Sequence, residues 1–430
     1  MNSRRIVFVC HTAAGESLRS ARAIAQLDDV TLLGISQGVV GAECREFTEM
    51  RTIADVHDKE QLIAAAQSYG SLNKIVTAQE TLLLPVAEAN EALGLAAMSS
   101  ETVKRTLDKS QLKTTLKRAG IKTPRDQIVT SAEDAQRFAS EVGFPIIIKP
   151  VGGSGALTTF RIGDEQQLTE LVALVQPSPA RPVIAEAFVF GMEMCFDTIT
   201  IANEPQYYSL CLYDPPIINA LEDPARQWQC IMPRHIDNYI YEKFIAQGLA
   251  AARALQVGNA MTHMEGFLSR GGPAGFIDAT LRPAGARIGP MFGFACDVDP
   301  YRVWARIMVD TSFDGPFERK FAVGTIFLRG LGSGLVEHVV GIDHVSKELG
   351  NSLVEAHWPR VGAAKSPTYT GDGFVTVRHA DVGVVEEAFE LIERTVRITY
   401  TSSKPDSPVG NLDRLRNYKS LNKPAWEATL

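Results

Sequence analysis

Two short stretches hold a dense set of groups able to do charge chemistry. "MTHMEGFL" (261–268) alternates, which puts His263, Glu265 and Phe267 on one side of an extended chain. "GFIDATLRPAG" (275–285) alternates too, with Asp278, Thr280 and Arg282 interleaved with Ile277, Ala279 and Leu281. Between them lies "SRGGPAG", a turn-rich loop. A hairpin turn centred on Gly271–Gly272 sets Glu265 opposite Asp278 and His263 opposite Thr280. Facing carboxylates destabilise a sheet unless a cation lies between them or one keeps its proton. Two carboxylates with phosphate oxygens make a typical Mg²⁺ environment. The plain alternative is a polar outer face that meets only water.

Two further stretches point the same way. In "FPIIIKPVGGSGALTTF" (144–160), Lys149 ends a wholly apolar strand, a costly place for an ammonium without an anion. The following glycine-rich loop, with Gly153, Ser154 and Gly155, can wrap backbone N–H groups around phosphate. The lysine precedes the glycines, so this is not the GxxxxGK[ST] loop. In "VIAEAFVFGMEMCFD" (183–197), Glu186 ends an apolar strand and Glu193 follows Gly191. Such a linking segment can offer backbone groups to an adenine edge and a carboxylate to ribose hydroxyls. Taken singly, these features also fit a surface lysine and two surface glutamates beside a turn.

The elements that must position these groups follow from hydrophobic period and punctuation. Strand patterns over 4–10, 30–36 and 74–78 alternate with helical ones, so the first hundred residues read as a parallel α/β domain. Its first turn, "CHTAAGES", lacks GxGxxG. "SSETVKRTLDKSQLKTTLKRAG" reads as one long basic amphipathic helix closed by Gly120. A compact α/β unit follows over 122–190. A β-rich region with the helix "YEKFIAQGLAAARALQ" fills 191–310, and a last α/β unit fills 311–400. The tail from Ser402 reads as irregular.

Composition excludes several classes. The 430 residues allow two to four domains, with 45% hydrophobic and 22% charged residues as in ordinary globular proteins. A formal net charge of −7 gives no basic footprint for nucleic acid. No apolar run is long enough to span a membrane, and "RIVFVC" reads as a first strand rather than a signal peptide. Six scattered cysteines without a CxxC pair suit reduced thiols in a cytoplasmic protein.

Order and spacing together resemble the ATP-grasp superfamily of carboxylate–amine ligases, from about Lys74 to Pro283 and more weakly to about residue 400. The resemblance implies an α/β (α+β) ATP-grasp fold. A Rossmann-like pre-ATP-grasp domain would span 1–108, a mobile ATP-binding lid with its linking helix 109–190, a catalytic core 191–310, a C-terminal α/β subdomain 311–401 and an irregular tail 402–430. It makes Lys109, in "DK", and Lys149 the nucleotide lysines, and "GGSGA" the phosphate loop with Gly153, Ser154 and Gly155. Glu186 and the backbone at Ala187 and Val189 would contact adenine, and Glu193 ribose. Glu265 and Asp278 would hold magnesium, with Mn²⁺ as the alternative ion. Arg282 would clamp the reacting carboxylate or acyl phosphate, and His263 would orient substrate or take the amine's proton.

Two residues depart from the family pattern. The second acid is Asp278 where Glu is usual, and Thr280 stands where Asn is usual. The chain is similar here to bacterial L-amino-acid ligases (dipeptide synthetases), whose H-x-E strand and R-x-x-G segment resemble "HME" and "RPAGARIG". No element resembling the biotin carboxylases was found, which disfavours carboxylation. The implied reaction joins a small-molecule carboxylate to an amine through an acyl phosphate, at the expense of ATP. The competing expectations are a non-catalytic ATP-binding protein of the same fold and a ligase of a nucleotide-pathway intermediate. A homodimer is suggested by resemblance alone. The small residues from Pro283 to Ala286 leave room for a bulky carboxylate, with Trp228, Met264, Met291 and Phe292 as candidate apolar walls.

Overall fold

The computed structural model describes residues 3–38, 44–151 and 158–404. Gly153, Ser154 and Gly155, and the tail beyond 404, lie outside the described residues.

The chain opens with β1 (Arg4–Cys10), α1 (Gly15–Ala25), β2 (Val30–Ser36), β3 (Glu49–Thr52), α2 (Lys59–Gln67) and β4 (Lys74–Val76). The strands lie in the order β3-β2-β1-β4, all parallel. Alternate residues of β1 enter two separate cores, Ile6 and Phe8 in one, Val7 and Val9 in the other. That is why the strand reads as an unbroken apolar run. Strand order turns at β1, and the crevice at the carboxyl ends of β1 and β4 is where such sheets bind ligands.

A short 3₁₀ turn (Glu80–Leu82) leads to α3 (Leu83–Ala92), α4 (Ser100–Leu107) and α5 (Lys109–Arg118). The sequence predicts one helix here; the structure has two. Asp108 leaves the helical region (φ −79°, ψ 107°), and its carboxylate accepts the N–H groups of Ser110 and Gln111. An aspartate that caps a new helix competes with continuing the old one. The break makes Lys109 the first residue of α5 and bonds its N–H to the carbonyl of Val151.

The next unit holds β5 (Asp126–Val129), α6 (Ala132–Val142), β6 (Ile146–Pro150), β7 (Phe160–Ile162), α7 (Glu165–Val175) and β8 (Val183–Ala187). Its strands form an antiparallel sheet in the order β5-β8-β6-β7.

The remainder comprises β9 (Met192–Ile201), β10 (Glu204–Asp214), α8 (Ile217–Glu222), β11 (Trp228–Met232), α9 (Tyr239–Leu255), β12 (Ala260–Ser269) and β13 (Gly272–Thr280). These are followed by α10 (Ile288–Cys296), α11 (Pro300–Ala305), β14 (Ala322–Leu328), β15 (Ser333–Val340), α12 (Ile342–Leu349), β16 (Leu353–His357), β17 (Gly373–His379), α13 (Val382–Thr395) and β18 (Arg397–Ser402). One sheet runs β13-β12-β9-β10-β11-β14-β17-β16, and β15 pairs with β18. The predicted boundary at 310/311 therefore falls inside a single sheet, since β14, β17 and β16 extend the core. Trp304 of α11 meets Phe8 edge-on at 6.3 Å, and Lys74 donates to the carbonyl of Met308 at 2.7 Å, which docks the N-terminal sheet on the core.

The β12–β13 hairpin holds Glu265 opposite Asp278 and His263 opposite Thr280, as the sequence predicts. The route to that register differs. The turn lies one residue earlier, with Ser269 facing Gly272, and two register shifts restore the pairing before Glu265 is reached. A bulge adds a residue to one strand and re-aims the side chains beyond it. The extra residues are Ala274 and Ile277, so the second bulge adjoins Asp278. β13 ends at Thr280, and Arg282 lies past the strand rather than on it.

Gly275 lies between the two bulges at φ +129°, where an added Cβ would sit 2.9 Å from the Lys122 carbonyl oxygen and 2.9 Å from Thr123 Cα. Gly275→Ala is expected to cost about 2–4 kcal/mol, from strain plus a backbone clash. Urea unfolding checks this.

Candidate active site

A cavity of about 350 Å³ is lined by Lys109, Lys149, Glu186, Ala187, Val189, Glu193, His263, Glu265, Asp278 and Arg282. Every described candidate from the sequence is thus gathered in one place, although the residues come from α5, β6, β8, the segment after it, β9, β12, β13 and the loop after β13.

Asp278 is held by Lys109, whose Nζ lies 2.8 Å from Oδ2. Burial would raise this carboxyl, but Lys109 and Lys149 outweigh it and hold it below the ordinary range. Burial would likewise lower Lys109, and Asp278 more than offsets that. The hydroxyl of Thr280 is buried against the same cavity with no hydrogen-bond partner. An orphaned buried hydroxyl is uncommon and marks a place for a ligand or water.

Glu186 is engaged by two lysines, Lys113 at 2.5 Å and Lys149 at 2.9 Å. All three side chains are buried, Lys113 completely. Burial acts to raise Glu186, but Lys149 and Lys113 hold its pKa low. Burial lowers Lys113 to about 8 in spite of Glu186. The carboxylate that resemblance assigns to adenine is therefore tied to the lysine pair. The N–H of Ala187 is bonded to the Arg125 carbonyl at 2.8 Å.

Glu193 accepts the N–H of Ile217 at 2.6 Å and is raised to about 8, by burial and then by Glu265. Its value in the unfolded chain is near 4.5. The folded state thus binds this proton more tightly. The stabilisation is complete below pH 4.5 and is lost as pH rises through about 8. Thermal melts of the nucleotide-free protein are expected to show a smaller decline over that window in Glu193→Gln than in the parent.

His263 Nδ1 lies 2.7 Å from Asp197 Oδ1, and Nε2 lies 3.5 Å from Glu265. Cys195 donates its thiol to Asp197 at 3.1 Å. Burial would lower the imidazole, but Asp197 holds it well above its usual value. Asp197 fixes the ring through Nδ1 and leaves Nε2 turned towards Glu265.

Arg282 reaches Glu80 through Nε at 3.1 Å and Nη2 at 2.6 Å, and donates to the Pro283 carbonyl at 2.7 Å. A guanidinium has five N–H donors, so capacity for a ligand remains. Beyond Arg282 a larger chamber of about 650 Å³ opens between the N-terminal domain and the core. The two cavities share Arg282, Gly285, Ala286 and Ile288. Of the predicted apolar walls, Phe292 lines the chamber and Trp228 lines the smaller cavity, while Met264 and Met291 are buried in the core.

Sequence reasoning missed Lys113, Asp197 and Glu80. Lys113 was findable one helical turn after Lys109, and Asp197 lies two and four residues after Cys195 and Glu193 on one strand face. Glu80 had no local signal. Among the described residues, no helix is long and apolar enough to cross a membrane.

Residues 108–196 match the family model described as carbamoyl-phosphate synthase L chain, ATP binding domain. The alanine–anticapsin ligase of Bacillus subtilis (strain 168) is 26% identical over 248 residues, 53% of this chain and 51% of that protein. The L-arginine-specific L-amino acid ligase of Bacillus subtilis is 24% identical over 244 residues, 56% of this chain and 58% of that protein. The chain spans about half the length of the curated relatives it matches. The crystal structure of an L-amino acid ligase from Bacillus licheniformis superposes with a TM-score of 0.75 at 17% identity, covering 94% of this chain and 100% of that one. N5-carboxyaminoimidazole ribonucleotide synthetase from Thermotoga maritima gives a TM-score of 0.67 at 16% identity, covering 92% and 99%. The chain thus has the ATP-grasp fold, carries an ATP-grasp domain, and is homologous to the alanine–anticapsin and L-amino acid ligases.

Proposed function

We propose that the chain is an ATP-dependent ligase that joins a carboxylic acid to an amine through an acyl phosphate. The observation that carries this reading is the facing pair Glu265 and Asp278, set with Lys109 and Lys149 in one cavity that opens past Arg282 into the chamber. Homology to amino acid ligases supports the reaction class.

The donor set fits Mg²⁺. Two carboxylates supply hard oxygen ligands, and the unpartnered Thr280 hydroxyl lies beside them. When bound, the ion would neutralise charge on the transferring phosphoryl group. ATP would lie between the β5-β8-β6-β7 sheet and the eight-stranded sheet, with Lys109 and Lys149 balancing phosphate charge and the backbone near Ala187 and Val189 beside the base. Phosphoryl transfer depends mainly on such positioning and charge balance.

In the first step an oxygen of the substrate carboxylate attacks the γ-phosphorus, and the bond to the ADP oxygen breaks. Arg282 holds the carboxylate by its remaining donors, a planar contact that Lys cannot copy. In the second step the amine nitrogen attacks the acyl carbon, the bond to the phosphate oxygen breaks, and the departing phosphate takes up the proton that the nitrogen sheds. The His263–Asp197 pair keeps Glu265 oriented during both steps.

The test is phosphate release from ATP by the full chain over a panel of acids and amines. Release that requires one of each supports the ligase. ATP binding without release on any pair would instead mark a non-catalytic nucleotide-binding protein.

A further inference from the structure

Resting on the ligase reading, we propose that Tyr369 is a catalytic residue of the second step. Its hydroxyl would donate a hydrogen bond to the acyl oxygen as that oxygen becomes an oxyanion under attack by the amine.

Place comes first. Tyr369 lines the smaller cavity together with Arg282 and Glu265, while its neighbours Thr370, Gly371 and Asp372 line the larger chamber. The loop before β17 therefore sits where the two cavities meet, as Arg282 does. In a ligase the acyl carbon lies at that junction, between the phosphates and the body of the acid. The loop is also stiffened from within. The Ser366 and Thr368 hydroxyls lie 2.9 Å apart, those of Thr368 and Thr370 2.7 Å, and Asp372 accepts the Ser366 N–H at 2.6 Å. A donor held by such a loop needs little reorganisation when charge develops beside it.

The hydroxyl comes second. The Tyr369 ring packs edge-on against Trp228 at 4.7 Å and joins the core around Phe327. Among the described residues, no group forms a hydrogen bond with its hydroxyl. A packed tyrosine normally finds a partner for its O–H, and one without a partner marks the place of a ligand. Burial raises the phenol above its ordinary pKa, Glu265, Cys230 and Glu193 add to that, and Arg282 opposes it. Glu265, Glu193 and Arg282 all line the cavity, which puts the hydroxyl end of the ring on the cavity side. At neutral pH the phenol keeps its proton and can donate it.

The chemistry comes third. Arg282 already directs Nε and Nη2 to Glu80 and Nη1 to the Pro283 carbonyl, so only part of its donor set is left for the acid. In the second step the amine lone pair forms the C–N bond, and the carbonyl π pair moves onto the acyl oxygen. Tyr369 donates to that oxygen and keeps its own proton. When the pair returns, the bond to the phosphate oxygen breaks, and the phosphate takes up the proton that the nitrogen sheds. One positioned donor at such an oxyanion contributes about 10²–10³ to kcat.

The experiment compares Tyr369→Phe with the parent as full chains. Phosphate release from MgATP is measured with an equimolar mixture of the common L-amino acids plus propanoate and 3-phenylpropanoate, which offers acids and amines together. The variant is expected to lose about 10²–10³-fold in kcat, with KM for ATP changed by less than about twofold. In a quenched single turnover, ADP should form near the parent rate while amide formation, read by mass spectrometry, slows by that factor. Tm should not fall, because the ring keeps its contact with Trp228 and the lost hydroxyl has no partner within the fold. Turnover within about threefold of the parent overturns the inference and leaves the ligase intact. So does a change confined to KM for ATP, an equal slowing of ADP formation, or a lowered Tm. No phosphate release by the parent overturns the ligase reading, and this inference with it.

Discussion

Glu265→Gln is expected to lower kcat for phosphate release by at least about 10²–10³-fold, with no fall in Tm. Gln keeps the shape and removes the charge. Loss of that charge leaves Asp278 as the one carboxylate at this point of the hairpin, so a bound Mg²⁺ would have one charged ligand fewer with which to balance the phosphoryl group. Stability is expected to move the other way. Glu265 lies opposite Asp278 in the register and raises Glu193 by its charge. Facing like charges destabilise a sheet. Removing one therefore relieves repulsion in the nucleotide-free protein, although the His263 contact at 3.5 Å offsets part of the gain. A group that costs stability and carries activity has the signature of a functional residue. Steady-state phosphate release and a thermal melt on the same preparation check both halves. Normal turnover in this variant would remove Glu265 from the metal site.

Glu186→Gln is expected to destabilise the fold by about 3–5 kcal/mol at neutral pH, because two buried lysines lose their common partner. Lys113 has no exposed side-chain surface and Lys149 has 6%. Lys113 cannot reach water without moving α5 off β8, whereas Lys149 borders the cavity. Deprotonation is the escape, and Lys113 already lies near 8 against an ordinary 10.5. A depressed lysine contributes stability above its unfolded value and loses it as pH falls through its folded value. The deficit in Glu186→Gln is therefore expected to be full at pH 7 and to narrow as the medium is made more alkaline. Lys113→Met in the same chain should recover part of the loss, and the double-mutant cycle should show coupling of about 1–3 kcal/mol. A change below about 0.5 kcal/mol in Glu186→Gln would mean the triad does not hold in solution.

The sequence was most informative where local spacing fixes geometry. The facing of Glu265 and Asp278 followed from an alternating pair of strands around a glycine turn. Even so, the turn was placed one residue late, and Ala274 and Ile277 made up the difference through bulges that no alternation pattern reveals. The single helix that the pattern predicts over 99–120 is two helices for a related reason. Its hydrophobic period continues across Asp108, and only the capping of Ser110 and Gln111 breaks it. That break puts Lys109 at a helix start beside Asp278. Contacts between distant segments were not legible. Glu80 and Arg282 are 202 residues apart, and nothing in "AQETLLL" marks a partner for a guanidinium. Lys113 was read as part of a basic amphipathic face, yet it is fully buried because Glu186 of another element balances it. The chamber beyond Arg282 belongs in the same class, since its walls come from the N-terminal domain, β9, β10, α10 and the loop before β17.

The central claim is that the acid is activated as an acyl phosphate. Labelling the carboxylate of a turned-over acid with ¹⁸O tests it directly, with mass spectrometry of the released phosphate. Attack by the carboxylate on the γ-phosphorus leaves one acid-derived oxygen in each phosphate, so singly labelled phosphate is the expected product. Unlabelled phosphate, with amide formed all the same, would contradict the mechanism.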